Sequence, residues 1–287
     1  MQTVTTIAEA RSLLDSARRR GDRVGLVPTM GFLHDGHVSL MEAARRDTDV
    51  VMTTIFVNPL QFAPDEDLAA YPRDLERDRL RCDAAGVDVL LVPSVEEMYP
   101  RPISTTVTVA DVAAPFEGES RPTHFAGVAT VVAKLFNIAG PCHAYFGEKD
   151  WQQLRVIATM ATDLSFPVTV VGCPIVREPD GLAMSSRNAY LDPAERIAAR
   201  VLSRALQAAV EAIAAGEHRA AQIRALLAET IAAEELAQLD YAAVADGASL
   251  QSVETIDDAT RLLVSASVGR ARLIDNCAAH GPGPLSP

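Results

Sequence analysis

Short apolar runs alternate with segments of helical periodicity through residues 1–176. The runs Val24–Val27, Asp49–Val57 and Val168–Gly172 carry too few polar residues for strands with one solvated face, and they suit strands that are covered on both faces. Between them, Leu75–Ala85 predicts a helix, and apolar residues at helical spacing predict another over Val128–Phe136. Strands that alternate with helices in this way predict a parallel sheet built from right-handed crossovers.

Local signals mark where several other elements begin and end. Thr6 and Glu9 have the spacing of a capping box, which predicts a helix that ends near Gly21. Further helices are predicted to begin near Val38 and near Asp150. Additional strands are predicted at Val87–Val92, at Ala144–Phe146 and, as a sheet edge, at Thr105–Val109.

The pattern changes after Val176. Asp192–Pro193 has the N-cap and first-turn residues of a helix that is predicted to run to about Ala215. A second helix is predicted from His218 to about Glu235, followed by short strands at Tyr241–Val244, Arg261–Ser267 and Arg270–Ile274. The sequence therefore predicts an α/β protein: a Rossmann-like parallel-sheet domain over 1–176, then a smaller α+β domain over 177–287. The Pro- and Gly-rich tail at residues 280–287 is predicted to be disordered.

One loop combines two glycines with two histidines. Val27–His37 joins a predicted strand to a predicted helix and contains Gly31 and Gly36. Backbone N–H groups at a helix start are unpaired, and the helix dipole favours negative charge there. His34 and His37, three residues apart, would point to one side of the first turn, and Gly36 would allow close backbone approach. The pattern predicts that Val27–His37 binds phosphate, and this segment is called the phosphate loop below. The alternative is two solvated loop histidines.

Two further segments carry groups suited to phosphate. Lys149 lies between a strand end and a helix start, where its ammonium could reach phosphate oxygens, although most lysines are merely solvated. Ser185, Ser186 and Arg187 supply two hydroxyls and a guanidinium that can form paired charge-assisted bonds. A surface turn is the simpler interpretation of these three residues taken alone.

Neutral amides accompany the predicted strand ends. Gln61, His34 and Lys149 each follow a predicted strand, so all three are expected to share one crevice at the carboxyl ends of the sheet. In the helix near Asp150, an apolar stripe predicts that Gln152 and Gln153 lie off the packing face, with Gln153 facing the crevice. The stripe consists of Trp151, Leu154, Ala158 and Ala161.

Composition excludes some classes of partner. The net charge of −12, from 26 basic and 38 acidic residues, argues against a nucleic-acid surface, so an anionic substrate would need a locally positive pocket. The four cysteines have no zinc-type or C-x-x-C spacing, which predicts buried reduced thiols. Glu9 and Asp15 in the first turns argue against a signal peptide, and no apolar run is long enough for a membrane span. A cytoplasmic protein that does not bind membranes is expected.

Several motifs resemble known proteins. His34-Asp35-Gly36-His37 resembles the H-x-G-H signature of the class I synthetase and nucleotidyltransferase superfamily. Four blocks in order resemble one family within it, the pantoate–β-alanine ligases or pantothenate synthetases: Val27–His37, Arg121–Val128, Phe146–Leu154 and Val176–Asn188. The last block is similar to the K-M-S-K-S loop of that superfamily, with serine and arginine in place of the lysines, and Arg272–Asn276 adds a weaker match. The chain departs from the family pattern at Phe32, Cys142 and Trp151, where Ala or Asn, Asp, and Tyr or Phe are usual.

The resemblance implies an ATP-dependent condensation of (R)-pantoate with β-alanine, through a pantoyl adenylate, to give pantothenate, AMP and diphosphate. It also implies Mg²⁺ with the ATP and a homodimer. Implied catalytic residues are His34, His37 and Lys149. Implied ATP contacts are Met30, Gly31, Phe32, Leu33, His34, Asp35, Gly36, His37, Gly147, Glu148, Lys149, Asp150, Val176, Met184, Ser185, Ser186 and Arg187. Gln61 and Gln153, with Asn58 nearby, are implied to hold pantoate, and no resident metal site is predicted.

Two other functions are compatible with a phosphate loop of this kind. An aminoacyl-tRNA synthetase would share the H-x-G-H signature, but the acidic balance and the lack of a tRNA-binding extension argue against it. A nucleotide-binding regulator without catalysis would not need His34, His37, Lys149 and Arg187 together. For His124, a substrate contact and a structural hydrogen bond are both open.

Overall fold

The structure, a computed structural model, describes residues 1–63 and 68–285. Residues 286–287 of the predicted tail lie outside this range. The described chain packs into two compact units: the first comprises Met1–Glu148 and Gln152–Pro174, and the second comprises Lys149–Trp151 and the chain from Ile175 onward. The domain boundary at residue 176 stays a prediction, because a unit of packing is not by itself an independently folding domain.

The first unit is a sheet with helices between its strands. Its elements are β1 (Gln2–Val4), α1 (Ile7–Arg19), β2 (Val24–Thr29), α2 (Asp35–Asp47), β3 (Val50–Ile55), α3 (Leu75–Ala84), β4 (Val89–Leu91), α4 (Val95–Met98), α5 (Glu117–Ser120), α6 (His124–Ala139), β5 (Cys142–Gly147), α7 (Trp151–Asp163, with Trp151 in the second unit) and β6 (Val168–Cys173).

Among the described residues, the strands of this unit form one six-stranded sheet in the order β1-β4-β3-β2-β5-β6. Every neighbouring pair is parallel, which confirms the predicted sheet. Leu26 and Val27 in β2 and Val51 and Met52 in β3 are almost fully buried, as expected for strands covered on both faces. The carboxyl ends of β2, β3 and β5 lead into the predicted site segments.

Local sequence signals agree with several of the helix boundaries. The predicted capping box is present: the Glu9 N–H donates to Thr6 Oγ1 over 3.2 Å, and the Thr6 N–H donates to Glu9 Oε2 over 3.3 Å. Together these bonds pair two otherwise unpaired backbone groups at the start of α1. The predicted helices beginning near Val38 and Asp150 are α2 and α7.

The predicted edge strand at Thr105–Val109 is wrong. The segment pairs with no strand among the described residues, and the Val107 N–H donates instead to Thr130 Oγ1 in α6 at 3.0 Å. The sheet edge is occupied by β1, which the sequence pattern did not predict and which pairs with β4 through Gln2–Val4. Weak alternation over five residues therefore does not suffice to identify a strand, because it does not identify a partner.

The second unit contains α8 (Pro193–Ala198), α9 (Val201–Ala214), α10 (Ala220–Ala232), β7 (Ala237–Asp246), β8 (Thr260–Val268) and β9 (Ala271–Ala278). Its strands form an antiparallel sheet in the order β7-β8-β9, and apolar residues of α9, α10 and the sheet share one core. The three strands lie where they were predicted, although each is longer. The single helix predicted from Asp192 to Ala215 is wrong, because it is broken between α8 and α9.

Two backbone hydrogen bonds of reduced sequence separation mark the break between α8 and α9. The Arg200 N–H donates to Ile197 and the Leu202 N–H donates to Ala199, both over three residues rather than four. Bonds of that spacing tighten the backbone into a 3₁₀ turn. No glycine or proline stands there, so packing and not residue propensity sets the break.

All four cysteines are free and buried, as predicted. Burial raises the pKa of the Cys82 thiol to about 12 and that of Cys173 to about 11, so both are neutral at physiological pH. Within the described part of the chain, no helix is long and apolar enough to cross a membrane.

Candidate active site

The two histidines of the phosphate loop meet at the start of α2. His34 is the N-cap with an extended backbone, and His37 lies in the first turn, so their ring centroids are 4.0 Å apart. The His34 N–H donates to His37 Nδ1 at 3.3 Å. An Nδ1 that accepts a hydrogen bond carries no proton, so the proton of a neutral His37 is on Nε2. His37 can therefore donate from Nε2 beside the unpaired N–H groups of the helix start.

A buried aspartate holds the backbone of this loop. Asp78 in α3 is 1% exposed, and its carboxylate accepts from the Phe32 and Leu33 N–H groups, both over 2.7 Å. Gly31 and Phe32 both have left-handed backbone, with φ of 83° and 49°. For a bulky residue such as Phe32 this conformation is strained and persists only where the surroundings enforce it. The Asp78 carboxylate constrains the backbone at Phe32, which lies two residues before His34.

Other side chains of α3 also contact the loop. The Arg77 guanidinium lies 5.3 Å from the centre of the Phe32 ring, and Arg81 pairs with Asp35, the first residue of α2, at 2.7 Å. Burial raises the pKa of the Asp78 carboxyl, and the N–H groups of Leu33 and Phe32 only partly oppose this shift. The ionised carboxylate is thus retained at a cost in folding free energy.

Sequence reasoning missed Asp78 altogether. It is one of several acidic residues on a predominantly polar helix, and no motif singles it out. The left-handed position of Phe32 was equally hidden, although a family that commonly has Ala or Asn there gives a signal, since Asn tolerates that conformation well.

The Gln61 side chain is positioned by neighbouring polar atoms. Its Oε1 accepts from Asn58 Nδ2 at 3.3 Å, and its Nε2 lies 3.0 Å from the sulfur of Met30. Asn58 is 1% exposed, and its oxygen accepts from Tyr99 Oη at 2.9 Å while its amide also donates to the Gly127 carbonyl at 3.1 Å. Because its amide is hydrogen-bonded to protein atoms, Asn58 orients Gln61. A direct contact between Asn58 and substrate stays a prediction.

His124 has a structural contact in this region. Its Nδ1 lies 2.9 Å from the Gln61 carbonyl oxygen, which can only accept, so Nδ1 carries the proton in this contact. The Arg121 guanidinium donates to the same carbonyl at 3.3 Å. Of the two roles that the sequence left open for His124, the structure supplies the hydrogen-bonding one.

The two adjacent glutamines of α7 differ. Gln152 is 3% exposed, and its amide is hydrogen-bonded to backbone atoms of Val112, Pro115 and Glu117 at 2.9, 2.7 and 3.1 Å. The predicted placement of Gln152 off the packing face is therefore wrong: backbone groups of residues 112–117 supply the partners that make its burial possible. Gln153 is half-buried, and its contact with substrate stays a prediction.

A cavity of about 330 Å³ opens at the carboxyl ends of β2, β3 and β4. Met30, Gly31 and Phe32 of the phosphate loop form part of its wall, together with Asp78. This is the edge of a parallel sheet at which ligands generally bind. Among the described residues, no group of three or more His, Cys, Asp or Glu side chains could hold a metal ion.

The remaining predicted residues follow β5 or belong to the second unit. Gly147 ends β5, and a Cβ built there would meet no atom within 4 Å. Its backbone is therefore open to a ligand. Lys149 lies in the short 3₁₀ turn Glu148–Asp150, with its ammonium 3.9 Å from the Asp150 carboxylate and its side chain mostly buried.

A hairpin leads to Ser185–Arg187, the segment predicted to bind phosphate, which is called the phosphate clamp below. The Met184 N–H donates to the Val176 carbonyl at 3.0 Å, and Gly181 turns the chain with φ of 89°. Ser185 then caps the 3₁₀ helix Ser186–Tyr190 by accepting from the Arg187 N–H at 3.3 Å. Ser186 is buried and Arg187 half-buried, so these residues form an ordered turn within the second unit.

The structure thus divides the predicted site residues between the units. Met30, Gly31, Phe32, Leu33, His34, Asp35, Gly36, His37, Asn58, Gln61, Gly147, Glu148 and Gln153 lie in the first unit. Lys149, Asp150, Val176, Met184, Ser185, Ser186 and Arg187 lie in the second.

Comparison with known proteins identifies the family. A family model described as pantoate-beta-alanine ligase matches residues 2–278. The chain belongs to the pantoate–β-alanine ligase family. It is 54% identical over 277 residues to the pantothenate synthetase of Roseiflexus sp. (strain RS-1), covering 96% of this chain and 99% of that protein. It is 48% identical over 277 residues to the enzyme of Geobacter sulfurreducens, covering 96% and 98%.

Solved structures agree with the family assignment. The pantothenate synthetase of Thermus thermophilus superposes with a TM-score of 0.93 at 48% identity, covering 98% of this chain and 100% of that one. A pantoate–β-alanine ligase from Francisella tularensis, solved in complex with β-γ ATP and β-alanine, gives a TM-score of 0.80 at 32% identity, covering 99% of each chain. The chain is therefore a ligase of pantothenate biosynthesis that condenses pantoate with β-alanine at the expense of ATP. This assignment decides against the synthetase and regulator alternatives.

Proposed function

We propose that the chain joins (R)-pantoate to β-alanine in two steps at the phosphate loop. The carboxylate of pantoate attacks the α-phosphorus of ATP, the bond to the β-phosphate breaks, and diphosphate leaves. The amine of β-alanine then attacks the acyl carbon of pantoyl adenylate, loses one proton and displaces AMP. The observation that carries the proposal is the His37 geometry: a backbone N–H fixes Nδ1 as an acceptor and leaves Nε2 as a donor at a helix N-terminus.

In the first step, charge moves onto the leaving diphosphate. The Nε2–H of His37 and the N–H groups that begin α2 are directed at developing charge, with His34 beside them. Lys149, Ser185, Ser186 and Arg187 bind the triphosphate, and backbone at Gly147 and Val176 contacts the nucleotide. Neither step needs an enzyme nucleophile, so positioning and charge neutralisation supply most of the rate.

In the second step, the adenylate must stay in place until the amine arrives. Gln61 and Gln153, neutral amides that both donate and accept, hold the hydroxyl groups and the acyl carbonyl of the pantoyl moiety. Asn58 fixes the orientation of Gln61. Side-chain amides suit this role because they bind the pantoyl group without adding charge near the phosphates.

The physical setting of the reaction follows from the same proposal. Mg²⁺ would enter with ATP. It would need no carboxylate cluster on the protein, because phosphate oxygens and water commonly supply most of its ligands at such sites. The resemblance to the family supports a homodimer as the working form. Four buried thiols fit a reducing compartment, which supports the cytoplasm.

A partial reaction tests the two-step order. With ATP, (R)-pantoate and labelled diphosphate but no β-alanine, label is expected to enter ATP, because adenylate formation is reversible and independent of the amine. Omission of pantoate or its replacement by (S)-pantoate serves as the control and is expected to abolish exchange. If exchange required β-alanine, a separate adenylate step would have to be abandoned.

The adjacent glutamines of α7 give a matched pair for the pantoate site. Gln153→Ala is expected to weaken pantoate binding by about 1–3 kcal/mol, roughly 5- to 150-fold, with ATP affinity nearly unchanged. Gln152→Ala removes three buried hydrogen bonds and is expected instead to lower the melting temperature. Calorimetric binding of each ligand and thermal melts of both variants separate the roles. Equal weakening of both ligands by Gln153→Ala would make Gln153 structural.

A further inference from the structure

Two consecutive buried polar residues on β9 have no part in the chemistry above. Asp275 and Asn276 are 3% and 2% exposed. They end the Arg272–Asn276 segment, which the sequence showed only as a weak match in the second domain. Burying a carboxylate and an amide costs free energy unless each is hydrogen-bonded, so their partners indicate what they hold in place.

Asn276 holds the backbone of the Lys149 segment. Its Nδ2 donates to the Lys149 carbonyl at 2.8 Å, and its Oδ1 accepts from Arg261 Nε at 2.8 Å. The Arg261 guanidinium lies 3.5 Å from the centre of the Trp151 ring, and the Trp151 indole N–H donates to the Gly247 carbonyl at 2.8 Å. Residues 149–151 are therefore attached to the antiparallel sheet at Lys149 and at Trp151.

Asp275 holds the hairpin that leads to the phosphate clamp. Its two carboxylate oxygens accept from the Arg177 guanidinium at 2.7 and 2.8 Å, in the bidentate arrangement that fixes direction as well as distance. The same guanidinium donates to the Gly181 carbonyl at 3.0 Å, so it spans the hairpin from within. The hairpin closes at Met184, and Ser185 follows directly.

We propose that Asp275 and Asn276 together are the positioning element for the two triphosphate-binding segments of the second unit. Adjacent residues of a strand point to opposite faces, so one dipeptide can reach two separate segments. Asn276 acts through Lys149, and Asp275 acts through Arg177 on Ser185–Arg187. This inference rests on the proposed role of those segments in binding ATP. Both residues are positioning residues, because each acts through another group of the protein.

Asn276→Asp is the sharpest test, because it keeps the acceptor for Arg261 and replaces the amide donor with an oxygen that faces the Lys149 carbonyl. Loss of that hydrogen bond is expected to raise the KM and the equilibrium dissociation constant for ATP about tenfold. The KM for pantoate is expected to stay within about twofold, since Gln61 and Gln153 lie in the first unit. Asn276→Ala, which removes the donor without adding charge, replaces it if the aspartate variant does not fold.

A control and a double variant make the result specific. Arg272 lies on the same strand as Asn276 and forms an ion pair with Asp240 of β7. Arg272→Gln removes that ion pair and is expected to leave the KM for ATP unchanged. In a Lys149→Ala background, Asn276→Asp is expected to weaken ATP no further, because it acts through Lys149. Arg177→Lys, which keeps the charge but loses the bidentate contact, is expected to give its own ATP-specific shift in either background.

The outcomes distinguish this inference from the proposed function. A Lys149→Ala variant that binds ATP normally overturns the assignment of the triphosphate site and this inference with it. If Lys149→Ala weakens ATP while Asn276→Asp does not, the assignment stands and the positioning role fails. Equal shifts in the KM for ATP and for pantoate, or an Asn276 effect that persists without the Lys149 side chain, would show a general structural role and overturn the inference.

Discussion

Replacing His37 with alanine is expected to lower kcat by roughly 10²–10³, the usual loss for one preorganised donor to developing charge. The Nε2 proton, held on that atom by the His34 N–H, donates most strongly when charge builds on the leaving diphosphate. The dissociation constant for ATP is expected to change far less, because the interaction strengthens mainly in the transition state. Single-turnover adenylation and equilibrium ATP binding, measured on the one variant, separate these quantities.

A packing role for His37 gives a different pattern. Truncation would then lower the melting temperature and leave the single-turnover rate of the folded enzyme intact, which would remove His37 from the catalytic residues. His218→Ala, which removes an exposed imidazole from the second unit, is the matched control and should leave the rate unchanged. His37→Gln is expected to recover part of the activity, since its amide N–H can reach toward the Nε2 position.

Asp78→Asn is expected to reduce kcat/KM by roughly 10²-fold, because Asp78 holds the backbone that leads to His34 and His37. The substitution turns one of two acceptor oxygens into a donor that faces a backbone N–H of Phe32 or Leu33. The strained Gly31–Phe32 backbone then relaxes, and the His34–His37 turn moves with it. A shift on the order of 1 Å in a catalytic group is sufficient for a loss of that size.

The control for Asp78 lies on the same helix. Asp83→Asn changes an exposed carboxylate of α3 that pairs with the N-terminal ammonium, and its kcat/KM is expected to equal that of the parent. Thermal melts should accompany both variants, so that the rate per folded molecule can be compared. A fully folded Asp78→Asn enzyme with unchanged kcat/KM would show that the loop keeps its conformation without this carboxylate.

Local sequence predicted those parts of the fold whose cause is local. The capping box at Thr6–Glu9 and the apolar runs of β2 and β3 carry their own reasons, since a helix start pairs its own N–H groups and a doubly covered strand needs apolar residues. The three residues of β1 carry no such signal, because their strand conformation depends on β4, more than eighty residues later in the chain. The strand predicted at Thr105–Val109 was wrong for a related reason: the segment has a strand-like pattern but no partner strand among the described residues, and its Val107 N–H donates to a side chain of α6.

The candidate site divides along the same line. His34 and His37 could be proposed from sequence because their residue types and spacing relate directly to phosphate chemistry. Lys149 and Ser185–Arg187 could be proposed only because the sequence around them resembles family motifs. Residues that hold these groups in place could not, because their role depends on tertiary neighbours. Asp78 reads as one more acid on a polar helix, and Gln152 as one of two equivalent amides, until the loop that each contacts is known.

The stacked pair Trp151–Arg261 also gives the chain an intrinsic optical reporter. Trp151 is the single tryptophan of the sequence, and it lies two residues from Lys149. A guanidinium over the ring and a hydrogen bond from the indole to Gly247 define the surroundings of the chromophore. Tryptophan emission, its quenching and its anisotropy therefore come from one place in the molecule, and a nucleotide titration can be followed there without attaching a label.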